Sequence, residues 1–367
     1  MLFQWYLFVF LIFLFLTSRI GSQTYQIYAA GEYEWRCKWL TAFSVIAVLT
    51  LVAANRSFTF IDTTSYYSHY MREPGTWESF FQYLTGSGKD PAFYALTALL
   101  KKLLGHRVRL YFGLISGFCL LLVFSVFRRH SSNFYITTFL FIASGEYVQW
   151  THNGMRQFIA VSIVFAATDL LLQRRYILYT LLVLLASTFH GSALIMLPAV
   201  LVLQGRPWNR KTILTVMVTL ILASSTGLLN ELLLLVMENS QYANDVHALM
   251  STGGTNVIRV LVFAIPPILA LRFREQITLL DLPGISLSVN MSILSLCIYI
   301  ISMFTSGIYI GRLPIYFSLH NYLLLPWIIE RFFEKNTAKV IYVLLIACYM
   351  IFYYYQMHIV WGGVISQ

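Results

Sequence analysis

The sequence predicts an all-α polytopic integral membrane protein of about 12 membrane-inserted helices. Three observations lead there. Of its 367 residues, 58% are hydrophobic and 11% charged, where a soluble domain has about 25% charged residues. The mean hydropathy is +0.70. Apolar runs of spanning or near-spanning length follow one another along the whole chain. In lipid such runs must be helices, because a backbone amide finds a partner there only within its own helix.

The runs cover 2–17, 39–54, 107–127, 133–150, 156–172, 176–203, 212–236, 258–271, 286–305, 313–329 and 340–360. No basic stretch precedes the first, and its first positive charge, Arg19, follows it. It reads as an uncleaved helix with an outside N-terminus. Short basic loops mark the cytoplasmic ends: Arg36/Lys38, Arg128/Arg129, Arg174/Arg175, Arg206/Arg210/Lys211, Arg272/Arg274 and Arg331/Lys335/Lys339. They account for much of the net charge of +10; a polyanionic ligand is a second cause. Cys37, Cys119, Cys297 and Cys348 form no CxxC pair and read as free core thiols.

Parity decides the treatment of 176–203. Both flanking clusters are basic, so one helix would place one of them outside. Two short helices with a turn at His190-Gly191-Ser192 keep both inside, and a re-entrant pair is tolerated where protein buries it. One long tilted helix is the alternative. The whole chain, 1–367, is then a single transmembrane domain with both termini outside. The outer face receives 55–106, the turn 151–155, the turn at His190, the loop 237–257 and the surroundings of Arg312. Within 55–106, Trp77, Phe80, Phe81 and Leu84 predict an amphipathic interfacial helix. Gly86-Ser87-Gly88 breaks it, and Asp90-Pro91 predicts the N-cap of a helix over 91–104. No internal repeat of the kind found in many transporters is visible.

Three ionisable residues border or interrupt apolar runs, where charge is costly and usually functional. Arg156 starts an apolar helix; an arginine at a helix N-terminus suits a phosphate, and an ion pair with Glu146 is the structural alternative. His190 could accept a proton from a hydroxyl, or could satisfy a helix break. Arg312 could bind an anion, or snorkel to the interface. Asp62, Tyr66 and Tyr70 share one face at i, i+4 and i+8; the carboxylate is a base candidate, or an N-cap within an aromatic belt. No Walker loop, HExxH, GxSxG on a strand or Cys/His cluster is present, which argues against nucleotide hydrolysis and redox cofactors.

A series of short blocks in order gives the chain a family resemblance. They are Asp62-Thr-Thr-Ser-Tyr66-Tyr67, Asp90-Pro-Ala-Phe93-Tyr94, Asn153-Gly-Met-Arg156-Gln157-Phe-Ile-Ala160, Phe189-His190-Gly-Ser192-Ala193-Leu194 and Arg312-Leu-Pro-Ile-Tyr316-Phe317. On these the chain resembles the EpsG family, Wzy-like polymerases of lipid-linked oligosaccharide repeat units for exopolysaccharide, capsule or O-antigen. Such families often carry Glu where Asp90 stands. The resemblance implies a GT-C-like glycosyltransferase architecture in a bacterial inner (cytoplasmic) membrane, with the active site facing the periplasm or exterior. The implied reaction moves a growing glycan from polyprenyl diphosphate, such as undecaprenyl diphosphate, to a second lipid-linked repeat.

In that frame Arg156 and Arg312 would bind the diphosphate, and His190, or alternatively Asp62, would be the base. Tyr66, Tyr70, Trp150, Asp90 and Gln157 would bind sugar. The implied partners are the lipid-linked donor and acceptor, membrane lipids and a chain-length regulator, with no nucleic acid. No cofactor is implied, and a divalent metal at Asp62 is left open. A flippase for the same lipid would share the helices and the cations, but charge at one face and the missing repeat argue against it. A membrane acyltransferase acting on surface sugars would need its histidine where a cytoplasmic acyl donor reaches, which an outer His190 disfavours.

Overall fold

The computed structural model describes residues 8–12, 16, 24–29, 32–86, 88–225, 231, 235 and 253–361. The greater part of the first apolar run, Ser87, the second half of the run 212–236 and nearly all of the loop 237–257 lie outside the described residues. The chain divides into two compact units, one of residues 1–194 and 329–367, the other of 195–328.

The first unit opens with the one departure from an all-helical chain among the described residues. Strands β1 (Thr24–Ala29) and β2 (Glu32–Cys37) pair antiparallel, with Thr24 opposite Cys37. Helix α1 (Trp39–Ala54) follows and packs against α5 (Val108–His130). Their seam is small: a Cβ on Gly113 would lie 3.3 Å from the Ala54 Cβ, and one on Gly117 would lie 3.3 Å from Thr50 Cγ2. Without hydrophobic drive between helices in lipid, such small residues let backbones approach and gain dispersion contacts.

Between these helices lie α2 (Thr63–Arg72), α3 (Trp77–Thr85) and α4 (Pro91–Leu104). Thr76 starts α3 with a capping box, its hydroxyl accepting from the Ser79 amide at 3.1 Å. The face expected to be apolar is exposed at Trp77, Phe81 and Leu84.

After α5 come α6 (Phe134–Ala143), the short α7 (Glu146–Val148) and a π turn, Gln149–Asn153. The run 133–150 is therefore not one helix. Gly145 adopts φ 81, a left-handed conformation that ends α6 at small steric cost. Helices α8 (Met155–Ala166) and α9 (Thr168–Leu172) together make one apolar stretch of spanning length. Then α10 (Tyr176–Phe189) packs against both α8 and α4. The expected break falls at His190, whose backbone is extended, and a 3₁₀ turn (Gly191–Ile195) follows it.

In the second unit α11 (Met196–Leu203), α12 (Arg210–Ser224) and α13 (Val257–Arg272) pack on α15 (Pro283–Met303). The short α14 (Arg274–Leu280) precedes α15. Asn290, fully buried in α15, donates to the carbonyls of Leu203 (3.1 Å) and Gly205 (3.3 Å) and accepts from the Thr212 hydroxyl (3.4 Å). The run 313–329 is divided into α16 (Ile315–Ser318) and α17 (Asn321–Phe332). The chain then re-enters the first unit for α18 (Lys335–Tyr354), continued by a π turn, Tyr355–Val360.

Among the described residues four helical stretches suffice by length and composition to cross a membrane: Val108–His130, Met155–Leu172, Pro283–Met303 and Lys335–Val360. Shorter apolar helices cover Trp39–Ala54, Phe134–Ala143, Tyr176–Phe189 and Gly191–Leu203. This is a helical integral membrane protein, and several expected spans are shortened by the breaks at Gly145, His190 and Leu319-His320.

The first unit sorts its polar groups into two ends. At one, Arg36 donates to the Ser131 carbonyl and Arg128 to the Cys37 carbonyl, both at 3.3 Å. Asp169 there meets Arg129 at 2.8 Å and His130 at 2.7 Å. At the other, Arg56 donates to the Thr151 carbonyl, Thr63 to the His152 carbonyl (2.9 Å) and Arg156 to Asp90 (2.8 Å). Within this unit the loops of Arg36/Lys38 and Arg128/Arg129 thus meet each other, and the bonds of Arg56, Thr63 and Arg156 form a separate group. The four cysteines are free thiols.

Candidate active site

Asp90 heads α4 in a left-handed conformation, φ 53 and ψ 51. Asp tolerates this region better than most residues. The expected N-cap position is correct, but the side chain makes no cap bond. Its carboxylate, with the side chain 1% exposed, accepts from Arg156 Nη1 at 2.8 Å. The same Nη1 donates to the Tyr94 hydroxyl at 3.3 Å, and the Tyr66 hydroxyl also bonds this guanidinium. The Gly191 amide, next to His190, approaches the Asp90 carboxylate. Segments far apart in sequence therefore converge: α2 through Tyr66, α4 through Asp90 and Tyr94, α8 through Arg156, and the end of α10 through Gly191.

Arg156 is placed by the turn before it. A Cβ on Gly154 would overlap the Trp150 ring, so only glycine leaves room for that ring beneath the start of α8. The Trp150 indole donates to Glu146 and is almost wholly buried. The suggested alternative partner of Arg156, Glu146, thus holds Trp150, and Arg156 holds Asp90.

Burial raises the Asp90 carboxyl above its ordinary value, against the opposing pull of Arg156, Lys89 and the Gly191 amide. Desolvation therefore outweighs pairing, as expected for an ion taken out of water. Beside the pair, His69 packs edge-on against Tyr94 at 4.8 Å, and Tyr94 stacks on Tyr83 at 5.6 Å. Burial lowers the His69 imidazole below its usual value, with Arg156 adding to that and Glu73 opposing it. Tyr83 is pushed up to about 12 by burial and by its bond to Glu73.

The remaining expected residues fall elsewhere or further back. Asp62 occupies the N-cap position of α2 without a cap bond, half-buried, one turn before Tyr66. His190 holds Ser192 Oγ at 2.7 Å through Nδ1. Tyr70 points into the core: it is fully buried, stacks on Tyr111 at 4.3 Å and donates to the Gly105 carbonyl at 2.9 Å. Trp150 and Gln157 are likewise buried. Arg312 lies in the second unit, half-buried on the 3₁₀ turn Ile310–Arg312. Close backbone packing fixes the turn's approach, with the Gly307 amide donating to Gly253 (3.0 Å) and the Thr255 amide to Ser302 (2.9 Å). Among the described residues no three His, Cys, Asp or Glu side chains come together as a metal site.

Sequence reasoning missed Tyr94, His69, Glu73, Tyr83 and Arg56. Tyr94 had a signal, since it stands four residues after Asp90 on one helix face. Arg56 had none. It is 6% exposed, donates to the Ala53 carbonyl at 2.6 Å and Ser116 Oγ at 2.8 Å, and lies 4.4 Å over the Phe112 ring. Burial lowers it to about 10.

The site of this helical membrane protein is a partly exposed guanidinium at a helix start, paired with a buried carboxylate and bonded by two tyrosine hydroxyls. The chain belongs to the EpsG family, whose sequence model matches residues 39–363. The resemblance read from the short blocks is thereby borne out at the level of the family. No curated protein and no solved structure matches the chain.

Proposed function

We propose that this protein is a glycosyltransferase that polymerises polyprenyl-diphosphate-linked oligosaccharide repeat units into a surface polysaccharide. Family membership supports a polymerase-like role in polysaccharide biosynthesis. The observation that carries the chemistry is the Arg156–Asp90 pair at the start of an apolar helix. Arg156 and the first amides of α8 stabilise the charge that develops on the departing diphosphate. Asp90 holds the guanidinium in place. Arg312, in the second unit, is proposed separately as an anion ligand.

The reaction balances without a nucleotide. The acceptor hydroxyl oxygen bonds the donor anomeric carbon, the bond from that carbon to the diphosphate breaks, and the electron pair leaves with the diphosphate. A base at the site, His190 or Asp62, takes the hydroxyl proton. The polymerase works in a GT-C-like architecture in a bacterial cytoplasmic membrane, with the Asp90 end facing outward.

The test is purified protein incubated with lipid-linked repeat units extracted from its own cells, followed on a gel. A ladder that lengthens with time, and fails to lengthen with Arg156→Lys, is the expected result, since lysine keeps the charge but loses the planar fork. A single unchanged band from folded wild-type protein overturns the reading.

A further inference from the structure

Beside Arg156 lies an aromatic cluster with its own foundation. Glu73 is 4% exposed and accepts three bonds: from the Ser79 hydroxyl at 2.8 Å, the Tyr83 hydroxyl at 3.0 Å and the Gly75 amide at 3.3 Å. It thereby fixes the link between α2 and α3. Tyr83, held by its hydroxyl, stacks on Tyr94 with 28° between ring planes. Tyr94 is held in turn by the Arg156 Nη1 bond and by the edge of His69. Tyr66 bonds the same guanidinium through its hydroxyl. Tyr66, His69, Tyr83 and Tyr94 are all half-buried, so each keeps surface beside a guanidinium that is itself 28% exposed.

A core cluster would bury its rings, as Tyr70 and Tyr111 do. Here four ring-bearing side chains stay at the surface, and a buried carboxylate fixes the orientation of one of them. Rigid aromatic surface beside hydroxyl and guanidinium donors suits a pyranose ring, whose C–H face packs on an aromatic ring while its hydroxyls take the polar groups.

Resting on the polymerase reading, we propose that Tyr83 and Tyr94, with Tyr66 and His69, form the saccharide-binding platform next to the diphosphate site, and that Glu73 positions it. The platform takes the sugar closest to the diphosphate. Tyr70 and Trp150, named from sequence, act instead as packing residues.

The experiment compares two probes on purified protein in detergent: lipid-linked glycan extracted from the producing cells, and polyprenyl diphosphate bearing no sugar. Wild type is expected to bind both. Tyr94→Leu should weaken the glycan-bearing lipid about tenfold, the scale of one aromatic contact, and leave the sugar-free lipid unchanged. That retained binding also shows the variant folded. Tyr94→Phe keeps the ring and should stay near wild type for glycan. Arg156→Lys should weaken both probes. Equal loss of both probes in Tyr94→Leu, or loss of neither, overturns the platform while leaving the polymerase reading standing. Wild type that binds neither probe overturns that reading and the platform with it.

Discussion

Asp90 turns its carboxylate away from the helix it heads and gives it to Arg156, 66 residues further along the chain. An N-cap bond is worth about 1 kcal/mol, so α4 forgoes that much local stability. Pro91 lessens the loss, because the amide it lacks is one that no cap has to satisfy. Removing Asp90 leaves a partly exposed Arg156 without its partner, and removing Arg156 leaves a buried carboxyl without its donor. Asp90→Ala should therefore destabilise the protein by about 1–3 kcal/mol, and Asp90→Ala with Arg156→Ala by less than the sum of the singles. Thermal unfolding in detergent measures this; additive losses would mean the two groups do not interact.

The same carboxyl sets a pH dependence. Its value in the folded protein is raised by burial despite Arg156, Lys89 and the Gly191 amide. The folded state thus binds this proton more tightly than the unfolded chain does. Its contribution favours folding below the folded value and is lost as pH rises through it. Activity runs the opposite way, because Arg156 needs the ionised partner. Polymerisation should fall on acidification while pH is still above about 4, where an exposed Asp titrates. Asp90→Asn should remove this limb of the pH–rate profile. A flat profile down to that pH in wild-type enzyme would contradict the assignment.

The seam between α1 and α5 makes a packing prediction. A Cβ on Gly117 would already lie 3.3 Å from Thr50 Cγ2, so a larger branched side chain has to displace that neighbour. Gly117→Val should cost about 1–3 kcal/mol through overpacking. Gly284→Ala is the control, since nothing lies within 4 Å of a Cβ there. Melting temperatures of the two variants decide it; equal shifts would show that the helices tolerate separation.

Sidedness is open to direct labelling. Cys37, Cys119 and Cys297 are buried and Cys348 is exposed, so Cys348→Ser supplies the background. Glu78 and Lys335 are both exposed. With the Asp90 end outward, Glu78→Cys should react with an impermeant maleimide on intact cells and Lys335→Cys only after lysis. The reverse pattern would move the site to the cytoplasm.

The membrane-spanning character and the helix at 39–54 were legible because apolar runs in lipid admit one backbone solution. The break at His190 was legible from charge parity alone. The breaks at Gly145 and Leu319-His320 were not, since a left-handed glycine or a tight turn leaves hydropathy unchanged. At the site, Arg156 was read as a charge bordering an apolar run, Asp90 as the head of a helix and Tyr66 from its helical spacing to Asp62. Tyr70 misled because i, i+4, i+8 spacing places residues roughly on one face without saying where the α5 rings meet it. Arg56 and His69 were invisible for the converse reason: their roles come from pairing across chain distances that no local pattern records, while the bonds of Glu73 to Gly75, Ser79 and Tyr83 cross the turn between two helices, where helical spacing does not reach.

The π turn at Gln149–Asn153 has a consequence for how Arg156 reaches its partner. Its ring closes with the Gly154 amide on the Gln149 carbonyl, five residues back instead of four. A π turn amounts to an ordinary helix carrying one surplus residue, and one residue is about 100° of rotation. Deleting a residue here would let the backbone relax into regular α-helix, composition and hydropathy nearly untouched. The α8 face that carries the guanidinium would then swing out of phase with α7. The surplus residue works as an angular offset, written into the chain as length rather than as side-chain chemistry.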